Sequence, residues 1–197
     1  MPTPANPQAY DVYLSTGGRR FYFRNPNHGV TLNDDNIAWI ADGRADEVAF
    51  ANAVAVHLQS GGSPQAVIDQ CTIKFVDGVR LTISNGNSSG LPDKTQMRLY
   101  RDFVRDLHSR LAARGNAAIR YTAGYTPTRY RVVLICAILA GLLFVAVPFV
   151  LLLIKGDAQI FGLLLAGIFL CWPLVKMVMS NAPRAYTPDL PPEELLS

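Results

Sequence analysis

Hydrophobic positions follow three regimes along the chain. In the first they alternate with polar ones. Tyr10, Val12 and Leu14 alternate with Asp11, Tyr13 and Ser15, and Phe21 and Phe23 alternate with Tyr22 and Arg24. A period of two is the mark of half-buried strands. Gly17-Gly18 separates these two segments, and Asn25-Pro26-Asn27-His28-Gly29 ends the second. Val30–Leu32 and Ile37–Ala41 flank the turn sequence Asn33-Asp34-Asp35-Asn36, and Asp42-Gly43 closes the latter. Val54, Val56 and Leu58 then share a face, ended by the loop Ser60-Gly61-Gly62-Ser63-Pro64. The strongest hairpin signal comes next. Cys71, Ile73 and Phe75 lead into Asp77-Gly78, and Val79, Leu81 and Ile83 lead out. Asp-Gly between alternating strands predicts a type I′ turn, because both residues tolerate positive φ.

In the second regime the period lengthens to that of a helix. Asp93 is an N-cap for a helix from Lys94 to about Arg114, ended by Gly115. Tyr100, Phe103, Val104, Leu107 and Leu111 recur at spacings of three and four and form one apolar stripe. Arg98, Arg101, Asp102, Arg105, Asp106 and Arg110 occupy the other face, with Arg98–Asp102 and Asp106–Arg110 at the i, i+4 spacing of helical ion pairs. One amphipathic helix after a meander of strands is expected to cover the open face or end of the sheet.

In the third regime the polar positions vanish. Val132–Ile154 carries no charged residue, and at ~1.5 Å per residue it spans roughly 35 Å, enough for a ~30 Å hydrocarbon core. A second apolar run, Ala158–Val175, follows after only Lys155-Gly156-Asp157. So short a connection predicts an antiparallel transmembrane hairpin with both ends on one face of a membrane. Ala137 and Gly141 are four apart, as are Ala158, Gly162 and Ala166, and small residues at that spacing let helix backbones approach. They fit packing of the two spans on each other, with oligomerisation as the alternative. Pro148 is expected to kink the first span, while Pro173 falls near the end of the second.

These patterns divide the chain into a disordered arm over residues 1–9, a soluble domain over 10–115 and a juxtamembrane tether over 116–131. A transmembrane helix over 132–154, a turn at 155–157, a second helix over 158–179 and a Pro-rich tail over 180–197 complete it. In the tether, Tyr121, Tyr125 and Tyr130 interleave with Arg120, Arg129 and Arg131. Tyrosine favours the headgroup zone and arginine snorkels to phosphates, so these six read as interfacial anchors or, equally, as an ordinary charged linker. The tail reads as a disordered end or, more sharply, as a docking peptide with Glu193-Glu194 before Leu195-Leu196.

Charge refines the picture. Residues 10–115 hold 12 Lys/Arg against 11 Asp/Glu, a near balance that argues against nucleic acid as a partner. The excess of the whole chain, +3, comes from basic residues flanking the apolar runs. Arg120, Arg129 and Arg131 precede the first run and Lys176 and Arg184 flank the end of the second, so the positive-inside rule places both termini in the cytoplasm. Met1-Pro2-Thr3-Pro4 carries no apolar signal-peptide core, and the expectation is that Val132–Ile154 itself directs the chain to the membrane.

The chemistry-bearing residues form no motif. The three cysteines lack CxxC spacing, and His28, His57 and His108 are scattered over a loop, a strand and a helix. No metal or other cofactor is expected from them. Asp34-Asp35 between two asparagines reads as a turn. No GxxxxGK[ST] or GxGxxG pattern occurs, and no catalytic residue is predicted. Neither apolar run holds an ionisable residue in its interior through which ions or protons would pass.

The order of elements over Tyr10–Arg114, about seven short antiparallel strands and one amphipathic helix, resembles a pleckstrin-homology-like domain. Eukaryotic members commonly carry a Trp in that helix, where this chain offers Phe103. The resemblance implies an α+β domain, a PH-like antiparallel barrel or sheet with a capping helix. It also implies kinship with small bacterial inner-membrane proteins that join such a domain to one or two spans. It maps anionic-lipid contact onto Arg19, Arg20 and Arg24 of the first hairpin, which otherwise read as ordinary surface arginines. The function expected is that of a non-catalytic interaction or scaffold module, with the bilayer and an unidentified protein as partners. The alternatives are an accessory subunit of a membrane complex and a membrane-surface enzyme.

Overall fold

The N-terminal half forms β1 (Gln8–Thr16), β2 (His28–Leu32), β3 (Asn36–Ala41), β4 (Arg44–Ala49), β5 (Ala53–Ser63), β6 (Ala66–Phe75) and β7 (Arg80–Ser84), of which β4, mostly exposed, lies in a polar stretch that carried no strand signal. The structure is a computed structural model describing residues 7–17, 28–41, 43–63, 66–86, 91, 93–115 and 118–195. Phe21, Phe23 and the arginines at 19, 20 and 24 lie outside the described residues. The chain divides into two units, one made of Met1–Ala123 with Arg184–Ser197, the other of Gly124–Pro183.

In the first unit the strands are hydrogen-bonded antiparallel in the order β4-β3-β2-β1-β7-β6-β5. At ~4.8 Å per strand, β3 and β6 would lie ~19 Å apart in a flat sheet. Yet the rings of Trp39 on β3 and Phe75 on β6 stack with centroids 6.5 Å apart. The sheet therefore curls over its own core. The short 3-10 turn Phe50–Asn52 bridges the halves, with the Phe50 N–H donating to the Asp35 carbonyl and the Val76 N–H to the Asn52 carbonyl, both at 2.9 Å.

Alternation assigns the inner face as expected on β1, where Tyr10, Val12 and Leu14 are buried. On β5 the register shifts between Ala53 and Ala55, so that Ala53, Val56 and Leu58 are buried and Val54 is only half-buried. That strand also runs through Ser60–Ser63, which the glycines had suggested as loop.

The β6–β7 turn departs from the two-residue form. Phe75 and Val79 close it, the Phe75 N–H donating to the Val79 carbonyl at 3.0 Å, with Gly78 at φ +83°. This three-residue loop pairs Ile73 with Leu81 and Cys71 with Ile83. A two-residue loop would have set Lys74 opposite Leu81, turning one strand's apolar face outward. Burial thus outweighs the Asp-Gly preference.

Helix α1 (Lys94–Ala113) begins where the N-cap signal puts it, the Asp93 carboxylate accepting from the Thr95 N–H at 2.9 Å. Its stripe of Tyr100, Phe103, Val104, Leu107 and Leu111 is buried on the sheet. The Phe103 ring meets Tyr10 edge-on at 5.6 Å. The outer ladder is tied down as well. Asp106 accepts from the Tyr10 hydroxyl at 3.0 Å and from Arg110 Nε at 2.9 Å, and Arg114 pairs with Asp35 at 2.9 Å. The adjacent turn carboxylates thus serve the helix: Asp34 faces Arg110 at 3.7 Å and Asp35 faces Arg114.

Among the described residues, two further strands make the sheet a mixed one of nine. β8 (Arg120–Ala123) pairs parallel with β5, from Ala55↔Arg120 to Leu58↔Ala123, and β9 (Arg184–Ala185) pairs antiparallel with β8. The soluble domain is therefore discontinuous in sequence and takes in part of the expected tether and tail. Both segments were too short and too polar to announce themselves as strands.

The second unit is a helical hairpin. α2 (Pro127–Gly141), a π-helical segment Leu142–Ala146 and α3 (Val147–Lys155) run on as one span, Pro127–Lys155. Gly156 at φ +63° ends it, Asp157 caps the next helix by accepting from the Gln159 N–H, and α4 (Ala158–Ser180) returns. Both spans are long and apolar enough to cross a membrane, with mean hydropathy 3.0 and 2.1. Only 6% of the first window and 17% of the second is buried, so neither is the core helix of a globular domain.

The face of α4 turned inward is Leu164, Gly167, Cys171 and Val178, at alternating heptad-like spacings. Pro148 lacks an N–H, which deprives the Phe144 carbonyl of its usual helical donor, and the π-helical segment precedes it. That carbonyl faces Gly167, where a Cβ would lie 1.9 Å from the oxygen. Gly167 is thus the residue whose lack of a side chain lets the helices approach. Ala137 and Gly141 are half-buried, whereas Ala158, Gly162 and Ala166 are exposed, and a Cβ added at Gly141 or Gly162 would meet nothing within 4 Å. The ends of the hairpin are also joined. The Tyr125 N–H donates to the Asn181 carbonyl at 2.9 Å, and a Cβ added at Gly124, which sits at φ +88°, would collide with the Ala182 carbonyl.

Candidate functional site

A cluster of polar and aromatic groups lies where α1 meets β8 and the chain that follows β9. His108 falls four residues after Val104 and extends the buried stripe of α1. Its Nδ1 lies 2.7 Å from the Val104 carbonyl, which can only accept, so Nδ1 carries the proton. Nε2 of the neutral ring is then an acceptor, 2.8 Å from the Tyr186 hydroxyl. Tyr121 completes a cluster of three rings with centroids 5.6–5.8 Å apart. Burial holds the His108 pKa below its usual value and pushes that of Tyr186 far up, so the hydrogen bond joins two neutral groups at neutral pH.

The chain after β9 continues over this surface. The Tyr186 N–H reaches the Tyr121 carbonyl at 3.3 Å, and the short 3-10 turn Glu193–Leu195 lies against β5. Leu195 is 1% exposed and belongs to the core cluster of the domain. Glu193 meets Arg105 of α1 at 3.4 Å, with side chains 84% and 54% exposed. Such an exposed pair contributes ~0–1 kcal/mol, whereas full burial of a leucine contributes ~1.5–3 kcal/mol. An apolar plug, with polar contacts setting its register, therefore holds the segment. The docked tail replaces the disordered end expected from its prolines.

Deeper in the same region, Tyr100 is fully buried and its hydroxyl has no hydrogen-bond partner among the described residues. Cys71 is buried too, and desolvation pushes its thiol up to about 12, leaving it protonated and unreactive. Asp69, also buried, is held by its neighbours: Asn85 Nδ2 donates to its carboxylate at 3.3 Å and Ser84 donates to its carbonyl at 3.1 Å. With the Asp93 N–H donating to the Asn85 carbonyl, this knot fixes the start of α1.

A separate cavity of about 370 Å³ opens near the C-terminus of α1, lined by Phe50, Ala51, Leu111, Arg114 and Ile119. The Arg114 guanidinium lies 5.0 Å over the Phe50 ring while pairing with Asp35. Its walls are apolar with one cation at the rim, and they offer no pair of groups arranged for proton transfer. Among the described residues no three His, Cys, Asp or Glu gather as a metal site.

The expected interfacial anchors are divided between the two units. Arg120 and Tyr121 belong to β8, Arg120 exposed and Tyr121 half-buried in the aromatic cluster. In the hairpin unit Tyr125 is buried and the Arg129 guanidinium lies 4.4 Å over its ring. Tyr130 is half-buried and Arg131 exposed in the first turns of α2. The arginines at 19, 20 and 24 are not among the described residues.

Three participants escaped the sequence reading. His108 was legible, since positions 100, 104, 108 and 111 share the stripe spacing. Leu195 offered a fainter signal, an apolar pair closing a polar, Pro-rich tail. Tyr186 offered none. No family model matches the chain, and no curated protein matches it in sequence.

Proposed function

We propose that the protein is a membrane-anchored, non-catalytic interaction module, whose sheet-and-helix domain is presented to protein partners at the cytoplasmic face of a bacterial inner membrane. The observation that carries this reading is the pair of apolar helices, Pro127–Lys155 and Ala158–Ser180, which expose most of their surface while continuing directly from strands of a folded domain. Such surfaces are stable in lipid and costly in water.

The pairing of β8 with β9 supports an even-spanning hairpin. One strand immediately precedes the first span and the other follows the second, so hydrogen bonds between them require both flanks on one side. The basic residues on those flanks then favour the cytoplasm. A pleckstrin-homology-like identity for the domain is supported by the meander β4-β3-β2-β1-β7-β6-β5, curled over its core and followed by a covering helix.

Two measurements test the proposal. The full chain should resist alkaline extraction from membranes, and single cysteines introduced near each terminus should react with an impermeant thiol probe from the cytoplasmic side only. Crosslinking and affinity capture of the intact protein should then recover a defined partner through the sheet domain. Release of the chain by alkali would sink the anchor. Capture of a large particle that disperses when the hairpin is replaced by an unrelated one would transfer the reading to an accessory subunit.

A further inference from the structure

We infer that the surface between α1 and β5 is a peptide-docking site whose resident ligand is the protein's own C-terminal segment, and that a partner's acidic, leucine-bearing peptide takes the segment's place. This rests on the reading of the domain as an interaction module and names where the partner binds.

Three observations converge on the site. The first is the uneven hold on the segment. Leu195 is 1% exposed in the core cluster, yet Glu193, two residues before it, is 84% exposed. Pro188, Pro191 and Pro192 lie between β9 and that plug, and Thr187–Leu190 makes only a local turn of its own, the Leu190 N–H donating to the Thr187 carbonyl. Proline fixes φ and removes a donor, so the connection is stiff and forms no strand with the domain. The leucine is therefore a terminal anchor on a strut, and its release leaves β8–β9 pairing in place.

The second is charge. Positions 98, 101 and 105 of α1 are arginines one turn apart, and the tail carries Asp189, Glu193 and Glu194. Glu193 meets the last arginine of that row, Arg105, at 3.4 Å. A ligand entering the same socket is favoured by an acidic residue two positions before its leucine, where Glu193 stands.

The third is the socket itself. Removing Leu195 opens a site against β5 within the apolar core cluster of the domain. An opened socket of this kind is favourable for an apolar side chain delivered from outside. Competition between a tethered and a free ligand for one site lowers the apparent affinity of the free one by the fraction of time the site is open.

The test uses the full chain in detergent micelles and a fluorescein-labelled synthetic peptide of residues 186–197. Leu195→Asp ejects the resident plug, because an unpaired carboxylate is costly to bury. The peptide should bind the Leu195→Asp chain about tenfold or more tightly than the wild-type chain, read by anisotropy. A peptide carrying Leu195→Asp should bind neither chain. A peptide carrying Glu193→Arg should bind weakly, and Arg105→Glu introduced into the Leu195→Asp chain should restore its binding. Equal affinity for the two chains, or no binding to a Leu195→Asp chain that keeps its wild-type circular dichroism, overturns the inference. So does loss of the fold in both Leu195→Asp and Leu195→Ala, which would make Leu195 an integral core residue. Because only purified protein and peptide are used, failure here leaves partner capture by another face of the domain to be judged separately.

Discussion

The sheet domain and the hairpin dispose of apolar side chains in opposite ways. In the domain, Tyr100, Phe103, Leu14 and Ile83 are all fully buried, and the sheet curls so that its inner face meets itself and α1. In the hairpin, Phe169 is 84% exposed, Trp172 70% and Leu153 71%. What is turned inward there is a narrow seam of small or modest residues, with Gly167 at its closest point. On the membrane-anchored reading proposed above, the contrast reflects two solvents. Water drives large side chains together, while lipid is as apolar as leucine and leaves backbone proximity and shape to hold helices. A residue's contribution therefore depends on its unit: bulk stabilises the domain, and the lack of bulk brings the hairpin together.

The sharpest way to break this comparison is to exchange the rule between units. Phe103→Ala should destabilise the domain by about 3–5 kcal/mol, the usual range for truncating a buried phenylalanine. In a urea titration of the micelle-bound chain its transition should shift or vanish while the helical signal of the hairpin persists. Joint loss of both would show that the units fold as one.

Gly167→Leu does the reverse. A Cβ there collides with the Phe144 carbonyl, a backbone atom with nowhere to move, and overpacking of this kind costs about 1–3 kcal/mol. Crosslinking between α2–α3 and α4 should fall, and the urea midpoint of the domain should stay put. Gly162→Leu, facing open space, serves as the control.

Within the domain, the comparison is sharpened by a polar atom in an apolar place. The Tyr100 hydroxyl has no partner among the described residues, so Tyr100→Phe removes a desolvated group and should stabilise the domain by about 1 kcal/mol. A drop in the denaturation midpoint would mean that the hydroxyl is engaged.

A pH dependence follows from His108 and His57, both held below the usual 6.5 chiefly by burial. Each is neutral in the fold and protonates more readily unfolded. Their stabilisation is complete above pH 6.5 and is lost as pH falls below it toward the depressed folded values. Domain stability should therefore decline from pH 7 to pH 5, less steeply in His108→Gln, while hairpin helicity is unchanged. A profile identical to wild type in that variant would remove His108 as a contributor.

Much of this was legible from periodicity. The stripe Tyr100–Leu111, the cap at Asp93 and the apolar runs are local patterns, and each survives in the structure because one element alone decides it. The reading failed where a choice needed a distant partner. Asp77-Gly78 suits a tighter turn than the one formed, and only the match of Ile73 with Leu81 selects the longer loop. Small residues four apart marked the stretch of α4 around Gly162, yet the helices meet at Gly167, where the Phe144 carbonyl leaves no room for a Cβ.

The amino-acid order by itself thus determined the regimes: alternating, amphipathic and uniformly apolar segments, with a turn too short for anything but a hairpin. Tertiary structure alone decided that Arg120–Ala123 and Arg184–Ala185 belong to the sheet, and that Leu195 ends in its core. The reason is physical. A four-residue strand and a single leucine carry too little local preference to define themselves. Each gains its stability from a surface assembled by residues distant in the chain: β8 pairs with β5, 65 positions earlier, and Leu195 packs against that same strand.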